Sequence, residues 1–336
     1  MKLICRSFLL FGVATTLLFT NFSCTGGLAP HNAELAPSIQ PWAIDSAYWA
    51  DENGTPVLLL GAGIDLLRYP AHDQLFMRLN AAGGNYARLD FSTPTPPGAP
   101  VLADNKEPSA PLQLNPTYWE YISDLLGAAA GKKIVLHAYG KPATPPGMTA
   151  QQLIDHWQPE WQRRAFPYAN IIATASSSQV GQPETKQRIN DVALAAFEFN
   201  RSLLEGAGVA DFPRRIQKEA DLNAALSAIR AVRTVEKIIP FWTLTPAPEV
   251  LLDETSERVV AARDTSGNYL IYVGKPSKIR VRLATEDQLP LRVTVVGYLG
   301  TQRSEVLQPP YGSVFEISTE DERGAWLVMR RLPKGR

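Results

Sequence analysis

The sequence predicts an α/β fold followed by a smaller antiparallel β domain. Three observations support this prediction. Short apolar runs alternate with amphipathic segments between residues 57 and 175, two long amphipathic segments follow, and from 258 to 329 the chain breaks into short β-type runs separated by turn residues. Alternating strands and helices indicate a parallel sheet with right-handed crossovers, whereas closely spaced β runs indicate antiparallel pairing.

The first half of the chain reads as strands alternating with helices. Asp51, Glu52, Asn53 and Gly54 have the composition of a hairpin turn, and Gly83 follows the first predicted helix at the place where glycine commonly ends one. A Pro-rich stretch at 92–116 interrupts the pattern. The predicted elements are a strand at 57–60, a helix at 73–82, a strand at 86–91, a helix at 118–130, a strand at 133–139, a helix at 149–164 and a strand at 170–175.

The alternation stops after the fourth strand. Residues 185–205 and 214–238 read as two long amphipathic helices, and no strand is predicted between them. The β-type runs that follow have the spacing of a small antiparallel β-sandwich. They lie at 259–262, 269–273, 279–283, 293–297, 314–317 and 326–329, so we expect one domain at 42–246 and a second at 247–333.

The N-terminus predicts export. Lys2 and Arg6 precede an apolar run at 8–19 that is too short to span the roughly 30 Å core of a bilayer. Ser23 before Cys24 is similar to a bacterial lipobox, in which Cys24 would be lipidated; ordinary cleavage and an uncleaved anchor are the alternatives. Residues 1–24 would then be a signal peptide and 25–41 a flexible tether, which places the protein in the cell envelope, at the outer membrane or in the periplasm, with a lipid anchor as its membrane contact.

Composition argues against several classes of function. The 33 basic and 33 acidic residues give zero formal net charge, which argues against nucleic acid as a partner. Cys5, the only other cysteine besides Cys24, lies inside the predicted signal peptide, so no internal disulfide is expected in the mature chain. The four histidines are scattered without the spacing of metal ligands, and neither a metal nor a cofactor is expected.

Two stretches carry a resemblance to a known family. Residues 51–61 (DENGTPVLLLG) and 79–89 (LNAAGGNYARL) are similar to the opening of exported glycoside-hydrolase-like (β/α)8 barrels of the apiosidase-like type. Residues 229–246, with the closing 326–328, resemble the family's last barrel helix and its C-terminal sandwich, which is often named for collagen binding. The resemblance implies a TIM-type barrel that acts on or binds a poly- or oligosaccharide. Because the first domain is short for eight strand-helix units, the barrel is expected to be shortened or partial.

The resemblance also implies where a site would lie. Barrel enzymes act at the carboxyl ends of their strands, and glycoside hydrolysis needs two carboxyl groups about 5 to 10 Å apart. After the fourth predicted strand, three serines at 176–178 stand where one acid would be expected. Asp90, near the end of the second strand, is therefore the remaining candidate for the catalytic acid.

Three other strand-end residues are candidates for substrate binding, each with a structural alternative. Arg88 could hydrogen-bond a sugar hydroxyl, or it could form an ion pair with Asp90. His137 and Tyr139 end the third strand in a common register, where sugar contacts would be made. His137 could instead be a buried histidine whose ring nitrogens are satisfied within the core.

Two further candidates lie outside the strand ends. Asp65, after the first strand, could contact substrate or cap a turn. Trp242 could stack against a sugar ring or fill the core, as aromatic residues more often do.

Three functions are compatible with these features. The first is an exported carbohydrate-active protein in which Asp90 serves as the acid. The second is a non-catalytic descendant that binds glycan or acts as a scaffold for the sandwich. The third is an incomplete gene product with unpaired sheet edges. A close pair of carboxylates facing a cleft would favour the first, and a sheet mouth filled by 185–238 would favour the second.

Overall fold

The computed structural model describes residues 37–64, 66–69, 71–92, 115–144, 148–174, 189–214, 216, 218–252, 258–282, 290–307 and 314–332. Cys24, Asp65 and the three serines at 176–178 therefore lie outside the described residues. The elements, in chain order, are β1 (Gln40–Pro41), β2 (Trp49–Ala50), β3 (Pro56–Val57), β4 (Leu59–Gly61), α1 (His72–Ala81), β5 (Tyr86–Asp90), α2 (Pro116–Gly131), β6 (Val135–Tyr139), α3 (Ala150–Ala165), β7 (Ile171–Ala173), α4 (Val192–Leu204), β8 (Val209–Asp211), α5 (Glu219–Glu236), β9 (Thr245–Pro246), β10 (Leu251–Leu252), β11 (Val259–Arg263), β12 (Tyr269–Val273), β13 (Ser277–Arg282), β14 (Leu291–Gly297), β15 (Gln302–Leu307), β16 (Val314–Thr319) and β17 (Ala325–Arg331).

Five parallel strands form the centre of the first part of the chain. β5, β6 and β7 are neighbours in one sheet, and β4 pairs in parallel with β8. Asn85 joins the two groups, because its side chain accepts from the backbone N–H of Leu60 at 2.9 Å and donates to the carbonyl of Leu58 at 3.1 Å. The spatial order of the strands is therefore β8, β4, β5, β6, β7.

Strand β8 corrects one prediction. The sequence indicated two long helices at 185–205 and 214–238 with no strand between them, whereas the structure has α4, the three-residue strand β8 and then α5. Gly206, which has a positive φ of 97°, ends α4 and turns the chain toward β8. The pairing of β8 beside β4 gives the first strand a neighbour on its other side.

The helices begin and end at recognisable capping residues. Asn115 caps α2 by accepting from the backbone N–H of Thr117, and a proline occupies the first helical position. Thr149 and Gln152 form a reciprocal capping box at the start of α3. At the end of α1, Gly83 has a φ of 85°, as the glycine in the sequence predicted.

Side chains of the five parallel strands alternate between two layers, as strand geometry requires. One set packs toward the helices, where Leu60, Leu89, Leu136 and Ala210 belong to a large core cluster. The other set begins with a smaller apolar cluster, whose members are Leu59, Tyr86, Val135, Ile172 and Val209. It is covered by Trp49 and Val57 from the N-terminal three-stranded sheet and by Ile39, which precedes β1. The N-terminal hairpin β2–β3 thus closes the amino end of this layer.

The C-terminal part consists of antiparallel strands in two sheets. The larger sheet has the order β15-β14-β17-β12-β11-β9, and the smaller has the order β10-β13-β16. A core cluster contains residues of both sheets, including Ile271, Leu327 and Met329 from the larger and Val281 and Ile317 from the smaller. The two sheets therefore pack against each other.

The opposite face of the six-stranded sheet packs against the helices of the first part. Trp326 lies 4.9 Å from Tyr272 and 5.8 Å from Phe241 between ring centroids, and Tyr272 stacks on Phe197 of α4. These residues all belong to the same large cluster as the strands and helices described above. One continuous core therefore joins the two parts of the chain. Of the helices described between residues 37 and 332, none is both long and apolar enough to cross a membrane.

Candidate functional site

Polar side chains form a layer at the carboxyl ends of the five parallel strands. Each position of the layer lies two residues beyond a member of the covered apolar cluster, so it occupies the same face one step further along its strand. Among barrels and open parallel sheets alike, this edge is where ligands bind. The residues of this layer are Gly61, Arg88, His137, Thr174 and Asp211, and Asp90 and Tyr139 lie one further step along.

The centre of the layer is an ion pair between Arg88 and Asp211. Arg88 Nε lies 2.6 Å from Asp211 Oδ2, and the two side chains are 23% and 3% exposed. The backbone N–H of Gly63 donates to the second carboxylate oxygen of Asp211 at 2.6 Å. The charge of Asp211 raises the pKa of Arg88. Arg88 therefore pairs with a carboxylate on β8, a strand that lies on the other side of β4.

Two glycines leave the space that Asp211 occupies. A Cβ at Gly61 would overlap Asp211 Oδ1 and would approach the ring of Tyr86 to 2.8 Å. Gly63 has a positive φ of 72°, and a Cβ there would overlap the carbonyl oxygen of Phe212. Glycine at both positions lets the ends of β4 and β8 approach each other closely enough for the Gly63–Asp211 hydrogen bond.

His137 is completely buried beside this ion pair. Its Nδ1 lies 2.9 Å from the Tyr86 hydroxyl and its Nε2 lies 2.6 Å from Thr174 Oγ1, so both ring nitrogens have a partner. Burial, together with the charge of Arg88, lowers the pKa of His137 to about 4. Burial likewise raises the pKa of Tyr86 well above its usual range. At neutral pH the imidazole is uncharged and links β5, β6 and β7.

Asp90 and Tyr139 are directly opposite each other at the carboxyl end of the layer. They are register partners on β5 and β6, and both are half-buried. Asp90 Oδ1 accepts from the backbone N–H of Ser92 at 2.9 Å and from its hydroxyl at 2.6 Å. The ring of Tyr139 lies 5.0 Å from that of His137. Gly140 follows with a φ of 76°, and a Cβ there would lie 3.0 Å from Asp90 Oδ1.

The structure brings together four of the residues that the sequence singled out. Arg88, Asp90, His137 and Tyr139 lie on neighbouring strands at one edge, with Arg88 beside His137 in register.

Trp242 lies at the other end of the strands. Its neighbour Phe241 accepts a hydrogen bond from Tyr48, whose backbone abuts Gly208 immediately before the first residue of β8. Trp242 is half-buried and packs against the large core cluster. The structure therefore does not place Trp242 with the polar layer.

Sequence reasoning missed two members of this layer, Thr174 and Asp211, and it missed Tyr86 of the adjoining apolar cluster, whose hydroxyl lies beside His137. Asp211 ends a strand of three residues, which is too short to show a periodic pattern. The sequence did contain one usable signal for a strand here. Gly206 ends a helix, and two apolar residues, Val209 and Ala210, then precede Asp211. Tyr86 and Thr174 carry no distinguishing pattern, and their roles become visible only through His137.

The described residues contain no group of three or more His, Cys, Asp or Glu side chains that could hold a metal ion. Asp90 and Asp211 are the two acidic residues within the five parallel strands. Asp211 is engaged by Arg88 and Gly63 and is almost inaccessible, so the arrangement does not offer a sugar two exposed strand carboxylates. What it offers is a set of partly accessible hydrogen-bonding groups on Arg88, Asp90 and Tyr139.

Solved structures share this architecture. A glycoside hydrolase family 5 protein from Bacteroides vulgatus ATCC 8482 aligns with a TM-score of 0.55 at 12% sequence identity, covering 84% of this chain and 91% of its own. Another glycoside hydrolase aligns with a TM-score of 0.55 at 11% identity, covering 90% of this chain and 98% of its own. No protein-family model matches the sequence, and no curated protein matches it. The chain has a mixed α/β, glycoside-hydrolase-like fold.

We expect His137 to make stability depend on pH. An unfolded histidine titrates near 6.5, whereas the folded pKa of His137 is about 4. Below pH 6.5 the unfolded chain therefore binds more protons than the folded chain, and stability falls as the pH drops toward 4. By pH 5 this group alone should have lowered the free energy of unfolding by about 2 kcal/mol relative to pH 7.

Urea denaturation at both pH values would measure this effect. His137→Gln should reduce the difference between pH 7 and pH 5 by about 2 kcal/mol, whereas His156→Gln, at an exposed helical position, should leave it unchanged. Equal pH dependence in all three proteins would contradict a neutral buried His137.

Proposed function

We propose that this protein is an exported carbohydrate-binding protein that has a glycoside-hydrolase-like fold and does not hydrolyse its ligand. The observation that carries the proposal is the engagement of Asp211 by Arg88, because it occupies the second of the two strand carboxylates. Hydrolysis with either stereochemical outcome needs two carboxyl groups that flank the sugar bond. Asp90 can reach solvent, but Asp211, at 3% exposure, cannot.

The ligand in this proposal is a poly- or oligosaccharide bound at the carboxyl ends of the strands. Sugars are recognised by planar polar groups that both donate and accept hydrogen bonds to hydroxyls. Arg88 supplies a guanidinium donor, Asp90 a carboxylate acceptor and Tyr139 a hydroxyl with an aromatic ring. All three are partly accessible and are held by neighbouring strands, so the positions of the groups are set before a ligand arrives.

Incubation of the purified protein with a panel of plant and host polysaccharides tests the proposal. Retained binding without released products, followed by chromatography, is the expected result. Tyr139→Ala should weaken binding at least tenfold, because it removes both a stacking surface and a hydroxyl. Phe166→Ala is the matched control, since Phe166 is an aromatic residue 84% exposed on the surface after α3.

Product release that disappears in Asp90→Asn would overturn the non-hydrolytic part of the proposal and would establish an enzyme. Loss of binding in Phe166→Ala but not in Tyr139→Ala would place the ligand elsewhere. Failure to bind any polysaccharide of the panel would count against glycan binding as a whole.

The cellular location is part of the same proposal. A predicted signal peptide ending at Cys24 supports a lipid-anchored envelope protein, tethered through 25–41. Cys24→Ala should move the protein from the membrane fraction to the soluble fraction and abolish incorporation of labelled fatty acid. Continued membrane association of that variant would favour an uncleaved anchor.

We also propose a finer assignment of family and domains. The opening stretch 51–61 and the strand that contains Arg88 support an apiosidase-like barrel of reduced size, with the five parallel strands as its remaining wall. The two packed antiparallel sheets support a C-terminal β-sandwich from about residue 247. The name often given to such a sandwich does not indicate that this one binds collagen.

A further inference from the structure

A second concave site lies at one end of the C-terminal sheets, away from the polar layer. It is a cavity of about 340 Å³ bordered by the ends of β14 and β17 and by the turns that adjoin them. Cavities that hold small ligands in proteins generally range from about 300 to 1,000 Å³, so this one is at the small end of that range. It is large enough for one compact ligand and not for an extended one.

The cavity exists because the packing between the sheets ends in small side chains. Gly297 of β14 and Ala325 of β17 are register partners at this end of the larger sheet, and Val295 is half-buried beside them. Further along the same strands, Val293 and Leu327 are completely buried between the sheets. The floor of the cavity is therefore mainly apolar, and the buried Thr319 lies beside it.

The mouth of the cavity is held in place by its own hydrogen bonds. Asp321 accepts from the backbone N–H of Tyr298 at 2.9 Å and from that of Arg323 at 3.0 Å, which ties the two adjoining turns together. The N–H of Gly297 donates to the carbonyl of Thr301 at 2.9 Å and closes the β14–β15 turn. A mouth that is already ordered loses little conformational entropy when a ligand binds.

The rim carries polar groups of several kinds. Gln302, Arg303 and Glu320 border the cavity and are exposed, so their side chains can turn toward a ligand, and Thr301 and Asp321 complete the rim. One guanidinium and two carboxylates give a formal charge of minus one, which disfavours phosphate or uronate ligands. The rim therefore offers an amide, a hydroxyl, a guanidinium and carboxylates above an apolar floor. These groups suit a neutral polyol, because its hydroxyls both donate and accept hydrogen bonds while its C–H face packs on the floor.

We infer that this cavity binds a single neutral sugar residue, so that the protein has a second glycan contact besides the carboxyl ends of the strands. The choice of a sugar over other neutral polyols rests on the proposed function. Because one core joins the C-terminal sheets to the helices, both contacts are carried on one continuous body.

Amide NMR spectra of the isotope-labelled protein test the two sites separately. The probes are methyl glycosides of glucose, galactose, xylose and mannose, with methyl glucuronide as the anionic comparison. We expect saturable shifts of the Gly297, Thr301 and Ala325 amides with at least one neutral glycoside and little shift with the glucuronide. Arg303→Ala and Glu320→Gln, both at exposed positions, should each raise the dissociation constant about tenfold, whereas Arg292→Ala, exposed at the far end of β14, should not change it.

The pattern of responses separates this inference from the proposed function. Shifts at the ends of β5 and β6 with silent cavity amides would overturn the inference and leave the proposed function standing. Shifts at the cavity amides alone would support the inference and count against the strand-end site. Silence at both places with all probes would overturn the inference, whereas the proposed function would be overturned by failure to bind the polysaccharide panel. Tighter binding of the glucuronide would contradict the neutral class of ligand.

Discussion

Asp211→Ala should lower the free energy of unfolding by about 3 kcal/mol or more, because it leaves the charge of Arg88 in a largely buried place without its partner. It also removes the acceptor for the backbone N–H of Gly63. Asp211→Asn separates these two contributions, since an amide oxygen can still accept from Gly63 while the charge is lost. Urea denaturation followed by circular dichroism measures all of these changes.

A double-mutant cycle with Arg88→Met isolates the interaction between the two charges. The combined variant should be less destabilised than the sum of the single variants, because an apolar replacement of both members of a buried pair is often nearly neutral. Arg78→Ala is the matched control, since Arg78 forms an ion pair with Glu219 whose side chains are 32% and 65% exposed. That control should cost less than about 1 kcal/mol. If Asp211→Ala and Arg78→Ala lowered the free energy of unfolding equally, the buried ion pair would contribute no more to stability than an exposed one.

Trp326→Ala should destabilise the whole chain by about 3 to 5 kcal/mol, the usual cost of removing a large aromatic side chain from a core. Trp326 is 1% exposed and packs between Tyr272 of the larger C-terminal sheet and Phe241 after α5. Because this cluster extends into the helices and parallel strands, the loss of stability should affect the whole chain, which should still unfold in one cooperative transition. Chemical denaturation, monitored in parallel by fluorescence and by far-ultraviolet circular dichroism, would test this.

Two comparison variants sharpen that experiment. Met329→Ala removes a completely buried side chain between the two C-terminal sheets, away from the helices, and Leu299→Ala alters a leucine that is 65% exposed. We expect Leu299→Ala to change stability by no more than about 0.5 kcal/mol. If Trp326→Ala instead produced two separate transitions, with the parallel strands retained after the first, the two parts of the chain would be independently stable.

Elements with strong local signals could be predicted from the sequence. Strand β12 was predicted with its observed bounds, and the capping residue Thr149 fixed the start of α3 to within a residue. Strand β15 was missed because five of its six residues are exposed at the edge of the sheet and so show no apolar alternation. Strand β8 was missed because its pairing with β4 depends on a distant segment, and three residues give too little pattern to indicate a strand.

The candidate site could be predicted only in outline. Because the carboxyl ends of parallel strands meet at one edge, the positions of Arg88, Asp90, His137 and Tyr139 along their strands were enough to group them. The partner of Arg88 could not be inferred, since Asp211 follows it by more than a hundred residues and lies on the unpredicted strand. The neutral state of His137 likewise depends on burial and on Tyr86 and Thr174, which local sequence does not reveal.

The pairing of β4 with β8 also dictates an order of events during synthesis. Gly63 and Asp211, which join the ends of these strands, are separated by 148 residues, so β4 emerges long before its neighbour exists. At typical ribosomal speeds of about 5 to 20 residues per second, the delay is roughly 7 to 30 seconds. During that interval the apolar edge of β4 has no partner on one side, and such edges invite aggregation. A chain released before residue 211 would lack both the last strand of the wall and the carboxylate that neutralises Arg88.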